Sequence, residues 1–156
     1  MHGKILTSEN LEKRGIEGPF MCALCCENNE TILHLFFECN YAKTMWSMLT
    51  EPWFGKVEIP GNVQQCFTNW ENAFKGDLNN KKGVKYCWMK LPKIICWHIW
   101  IEHNIRTFQN KAHLPDKIVA KIQALMGEVI KTKAVPKNKT NLAANEVIWM
   151  QTFIFS

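Results

Sequence analysis

The chain has 156 residues, 47% of them hydrophobic, with seven tryptophans and nine phenylalanines. That length is an ordinary single domain, and the composition excludes a disordered chain. A formal net charge of +5 suits a polyanionic partner and is also common in proteins that bind none.

The opening residues, MHGKILTSENLEKRG, turn polar at once and hold no apolar targeting core. The expectation is an intracellular protein, nuclear or cytoplasmic and not secreted, whose thiols stay reduced. Thr7 or Ser8 can cap a short helix through SENLEKR, and Gly15 can end it in a left-handed residue. Gly18-Pro19 then turns the chain into a cysteine-rich segment. Past it, Ile32, Leu35 and Phe36 recur at helical spacing. Asn40 is placed to cap a helix over 41–50 that aligns Ala42, Met45, Trp46 and Leu49, and Glu51-Pro52 should stop it.

Residues 52–62 read as a loop, and 63–75 as a helix with Val63, Cys66, Phe67, Trp70 and Phe74 inward. KGDLNNKKG, at 75–83, is the clearest internal linker. A long helical pattern covers 84–111, with Pro92 expected to kink or break it. Trp88, Ile95, Ile99 and His103 share one face of it; Trp97, Trp100, Ile101, Asn104 and Phe108 lie on or beside the other. IICWHIWI, the longest apolar run, is interrupted by His98 and flanked by Lys93 and Glu102, so it reads as a buried helix face and not a membrane span. Leu114-Pro115-Asp116 opens a further helix whose stripe runs through Ile118, Val119, Ile122, Leu125, Met126, Val129 and Ile130. The tail over 131–156 is basic with an apolar end. There is no internal repeat, and short pieces near the cysteines are the only candidate strands. The class is mostly α.

The segment CALCCENNETILHLFFEC carries the chemistry. Zinc takes four nitrogen or sulfur donors at tetrahedral corners, and a Cys-x-x-Cys turn aims two sulfurs to one side. Cys22, Cys25, His34 and Cys39 give C-x2-C-x8-H-x4-C. Residues five apart on one α-helix diverge by about 140°. His34 and Cys39 therefore converge only if the helix breaks between them. Cys26 in place of Cys25 is the alternative ligand, and the plainer reading is a set of buried thiols beside a core histidine. A disulfide framework fits poorly with a reduced compartment and seven cysteines, an odd number.

Cys22-x-x-Cys25, then ETILHLFF up to Cys39, then Ala42 and Trp46, closely resembles the reverse-transcriptase zinc-binding domain that follows the polymerase in plant non-LTR (LINE-type) retrotransposons. ILTSENLEKRGI resembles that domain's lead-in. WHIWIEHNIRTF, at 97–108, is similar to a segment that often follows it, typically with arginine where this chain has His103. The resemblance is strong over 2–50, fair over 94–108, and fades after 110. It implies zinc as cofactor, Cys22, Cys25, His34 and Cys39 as ligands, and contact with nucleic acid that assists reverse transcription. Two departures accompany it. The tryptophan-bearing apolar segment that normally precedes the motif is not in this sequence. No Tyr-x-Asp-Asp-type or RNase H-like carboxylate set is present, so polymerase activity is not expected.

Cys66, Cys87 and Cys96 fall on apolar faces and read as core thiols. His98 and His103, five apart, read as core-edge or surface histidines. The basic residues placed to meet phosphate are Lys4, Lys13 and Arg14 around the cysteine unit and Lys81, Lys82 and Lys85 after the linker, with further lysines in the tail.

The expected organisation is a zinc-binding unit over 1–52, a helix and linker over 53–83, a helical hairpin over 84–130, and the tail over 131–156. The expected function is a zinc-binding, nucleic-acid-associated remnant of a retrotransposon reverse transcriptase, with RNA or DNA bound weakly and without sequence preference. There is no expected small-molecule substrate and no membrane. The alternatives are a protein-interaction remnant that self-associates through exposed aromatics, and a degenerate reading frame with no selected function.

Overall fold

The computed structural model describes residues 12–15, 21–54, 63–70 and 82–134. In chain order these form a π turn, His34–Glu38, and four helices: α1 (Asn40–Phe54), α2 (Val63–Asn69), α3 (Lys82–Gln109) and α4 (Pro115–Ala134). Among the described residues there is no strand, only one antiparallel bridge between Met21 and Asn29. The fold is mostly α, a small Cys/His unit followed by a helical hairpin. The short helix expected over 8–14 lies largely outside the described residues. Its end is visible, with Gly15 left-handed at φ 73° and its N–H bonded to the Glu12 carbonyl at 2.8 Å.

α3 and α4 run antiparallel. Gly83 near the start of α3 meets Ile130 near the end of α4, where a β-carbon would lie 3.1 Å from Ile130 backbone atoms. The last two residues of the expected linker, Lys82 and Gly83, are thus helical, and a side chain at 83 would press on the Ile130 backbone. One turn later, the Cys87 Sγ approaches the Met126 carbonyl oxygen at 3.7 Å. The stripes agree with the sequence pattern: Trp88, Ile95, Ile99 and His103 are buried on α3, and Val119, Ile122 and Val129 on α4.

Pro92 lies inside α3 and does not end it. Proline removes one helical N–H, which orphans the carbonyl four residues earlier. That carbonyl belongs to Trp88, and the Trp70 indole N–H donates to it at 2.8 Å. The Trp88 indole N–H returns a bond to the Trp70 carbonyl at 3.2 Å, and the rings stack with centroids 4.3 Å apart. An interior proline is therefore tolerated because a tryptophan just past α2 takes the place of the missing donor. Phe37, Trp46, Trp70 and Trp88 form one aromatic row, with neighbouring centroids 4.3 to 5.6 Å apart. Trp46 is fixed at its polar end by a bond to the Phe36 carbonyl at 2.8 Å.

Pro52 is likewise inside α1, which extends to Phe54 and so passes the expected stop at Glu51-Pro52. The proline sits in the last turn, where only one ladder bond is lost. Of the residues expected inward on 63–75, Cys66 and Trp70 are buried and Phe67 is half-buried. The Val63 side chain and Phe74 lie outside the described set. Cys66, Cys87 and Cys96 are buried, and burial pushes the first two thiols up to about 11 and the third well above its ordinary value.

A polar clamp joins α3 to the cysteine segment. Glu102 is fully buried and accepts from the Arg106 Nε at 2.8 Å and from the His113 backbone N–H at 2.7 Å, with His113 Nδ1 at 2.8 Å. Arg106 also donates to the Leu24 carbonyl at 2.9 Å and lies 4.7 Å over the Tyr41 ring. Next to it, buried His103 pairs with buried Glu30 at 2.7 Å. His103 is therefore not an edge or surface residue. His98 is 9% exposed and also buried. Their spacing places them on different sides of α3, and both sides are covered.

Two outcomes follow from these contacts. Trp70→Phe should lower the unfolding free energy of the zinc-loaded chain by about 1–3 kcal/mol, because the buried Trp88 carbonyl loses its donor. Adding Pro92→Ala to that variant should recover part of the loss, since the substitution restores the helical N–H; denaturant titrations of the four-protein cycle measure it. Burial would raise the Glu102 carboxyl, but the His113 and Arg106 bonds outweigh it and hold it below the usual 4.5. Its stabilising contribution is complete above that value and is lost as pH falls below it. Glu102→Gln should be destabilised by about 3 kcal/mol at neutral pH. The gap from wild type should narrow on acidification below 4.5, with zinc loss common to both proteins.

Candidate metal centre

The first pair of donors comes from a tight turn. The Cys26 N–H bonds the Cys22 carbonyl and the Cys22 N–H bonds the Asn28 carbonyl, each at 2.8 Å. Cys26 takes a left-handed φ of 57°, which turns the chain away immediately after Cys25. The amide N–H groups of Leu24 and Cys25 bond the Cys22 sulfur. Cys22 is buried, Cys25 half-buried and Cys26 exposed.

The second pair comes from a widened helix. Thr31 starts the turn by accepting the His34 N–H on its hydroxyl at 3.0 Å, while its carbonyl takes the Leu35 N–H at 2.9 Å. From His34 the ladder shifts to i→i+5, and the Cys39 N–H bonds the His34 carbonyl at 2.7 Å. The convergence problem posed by the five-residue spacing is solved in this way. The chain does not break between His34 and Cys39 but opens into a π turn, which sets the two residues one above the other. The break falls on Cys39 itself, at ψ 133°. Asn40 is then the first residue of α1 rather than its cap. The capping role goes to Cys39, whose sulfur accepts N–H bonds from Tyr41 and Ala42.

The four donor atoms lie within 4.8 Å of one another. The Cys22 and Cys39 sulfurs are 3.9 Å apart, and the Cys25 sulfur is 3.4 Å from His34 Nε2. Zinc–sulfur bonds of about 2.3 Å and zinc–nitrogen bonds of about 2.0–2.1 Å set tetrahedral edges of about 3.8 Å (S–S) and about 3.6 Å (S–N). The Cys22–Cys39 and Cys25–His34 separations match those edges, and the full set is compact enough for one ion to draw together. Among the described residues no second group of three donors converges.

The electrostatics suit thiolate chemistry. The hydrogen bond from Cys22 holds the Cys39 thiol below its usual value, and the Ala42 and Tyr41 amides add to this against burial. The same bond, then burial, pushes the Cys22 thiol far up, with the Cys25 and Leu24 amides opposing. Of the two sulfurs, Cys39 is thus the one favoured as thiolate. The four sequence-predicted donors are brought together. Of the basic residues, the neighbours Lys13 and Arg14 are exposed, as is Lys85 on α3; the Lys82 side chain is not described, and Lys4 and Lys81 lie outside the described residues. The Glu30–His103 and Glu102–Arg106–His113 supports have no counterpart among the sequence-predicted residues. The i, i+4 spacing of Glu102 and Arg106 was the available signal.

Cys25→Ser should lose the metal, whereas Cys26→Gly should keep one zinc per chain. Relief of the left-handed strain should leave the glycine variant unchanged or stabilised by up to about 1 kcal/mol. Native mass spectrometry and competition with a chromophoric chelator read both outcomes.

Comparison with curated proteins and with solved structures finds no match. A family model does match, over residues 1–46: zinc-binding in reverse transcriptase. That stretch contains all four clustered donors, and over it the chain is similar to a zinc-binding domain whose cofactor the geometry fits.

Proposed function

We propose that this chain is a zinc-stabilised nucleic-acid-associated module, derived from a LINE-type retrotransposon reverse transcriptase of plant type and without polymerase activity of its own. One observation carries the reading: the Cys22, Cys25, His34 and Cys39 cluster lies within the stretch that matches the reverse-transcriptase zinc-binding family. In this reading zinc is structural. All four positions are taken by protein donors, so no open site for a catalytic water remains.

The metal centre does not itself attract phosphate. Three thiolates and a neutral imidazole around one divalent zinc carry about −1. Affinity for RNA or DNA therefore comes from basic side chains around it, among which Lys13, Arg14 and Lys85 are exposed. Cations that meet phosphates carry no base readout, which supports weak, sequence-tolerant binding. Among the described tryptophans, Trp46, Trp70 and Trp88 are buried and Trp97 and Trp100 are half-buried, so these five form no exposed face, and the exposed aromatic left for self-association among the described residues is Phe108.

Fluorescence anisotropy of single-stranded RNA and DNA against the zinc-loaded chain tests the reading. Binding should weaken steeply with salt, at a log–log slope of about −0.7 per phosphate contact, and differ little between sequences. No binding even at low salt would sink it.

A further inference from the structure

Between α3 and α4, lined by none of the four clustered donors, lies a cavity of about 220 Å³. Three isoleucines, Ile101, Ile105 and Ile118, form its apolar walls. Its polar groups are of another kind. Lys117 and Lys121 sit one turn apart on α4, both exposed at the rim. His98 lines it from α3, is only 9% exposed, and among the described residues makes no hydrogen bond, its ring nitrogens reaching solvent. The remaining polar wall is Glu102 with His113, and both Glu102 oxygens are already occupied by Arg106 and His113. The unsatisfied polar capacity of the cavity is thus cationic and hydrogen-bond-donating.

We propose that this cavity binds a terminal phosphate group, with Lys117 and Lys121 supplying the charge and the largely buried His98 ring an N–H donor. Three donors approaching from two helices suit the three terminal oxygens of a phosphate monoester better than the two of a planar carboxylate or a backbone diester. The volume is below the range of drug-sized sites, which limits the organic part to a few carbons packed on the isoleucines. A free small phosphate ester and the phosphorylated end of a nucleic-acid strand present the same group. Burial and then Lys121 hold the His98 imidazolium down to about 4, so the ring is neutral near pH 7, with one N–H to give. Nothing in this assignment requires the strand binding proposed above.

Histidine ring nitrogen resonances of the zinc-loaded full chain are the direct readout. Inorganic phosphate and ribose 5-phosphate, titrated at fixed ionic strength, should shift His98 saturably. Lys117→Ala and Lys121→Ala should each weaken that binding by about tenfold or more, the worth of one hydrogen bond to a charged group. His98→Phe, which retains both lysines, should weaken it similarly in a binding measurement by calorimetry. A single-stranded oligonucleotide with and without a 5′-phosphate separates the sources. A response confined to the phosphorylated strand and inorganic phosphate assigns a strand end, and a stronger response to ribose 5-phosphate assigns a small ester. A His98 resonance unmoved by any phosphate, or moved equally by chloride, overturns the proposal. If inorganic phosphate binds while no oligonucleotide does, the pocket stands and the nucleic-acid reading falls.

Discussion

The structure depends on holding two sulfurs, Cys22 and Cys39, 3.9 Å apart in a buried place across seventeen positions of chain. Left to themselves, two thiols at that distance share a hydrogen bond worth little, and two thiolates repel. A divalent cation converts this crowding into the strongest link in the unit. It also ties the knuckle at 22–26 to the N-terminus of α1, because the Cys39 sulfur is both a donor in the cluster and the acceptor for the first free amides of that helix. Metal binding, helix capping and closure of the turn are consequently one event, which couples zinc to folding.

Around that link the molecule is joined by two devices of different character. One is apolar: the aromatic row from Phe37 through Trp46 and Trp70 to Trp88, which runs from the π turn into the hairpin. The other is polar: on α3, Arg106, held by Glu102, reaches Leu24 and His103 reaches Glu30, both on the cysteine segment. Buried ion pairs contribute little net stability but penalise misalignment strongly. The clamp therefore sets the register of the hairpin against the metal unit more than it holds the two together.

Much of this was legible in the sequence. Donor spacing, the α1 and α4 stripes and the buried face of α3 all follow from periodicity, because side-chain chemistry alone sets them. The features that were not legible involve two distant residues answering one local problem. Pro92 reads as a break until Trp70 is seen on the Trp88 carbonyl. The five-residue gap from His34 to Cys39 calls for a discontinuity, and only backbone geometry shows that a π turn meets the need without one. Gly83 reads as flexible linker until Ile130 is placed beside it. His103 reads as peripheral until Glu30 is placed beside it.

The Trp70–Pro92 arrangement bears on the order in which the chain assembles. An interior proline costs a lone helix about 3 kcal/mol, so α3 is a poor candidate for early, autonomous formation. Its two halves, 82–91 and 92–109, can each nucleate, but the junction is fully compensated only once α2 has docked. Continuity of α3 is thus a late and conditional property, contingent on a contact made from outside the helix. The hairpin would then act as a checkpoint: Glu102, His103 and Arg106 gain their fixed bearing on the metal unit only after the tryptophan row has closed.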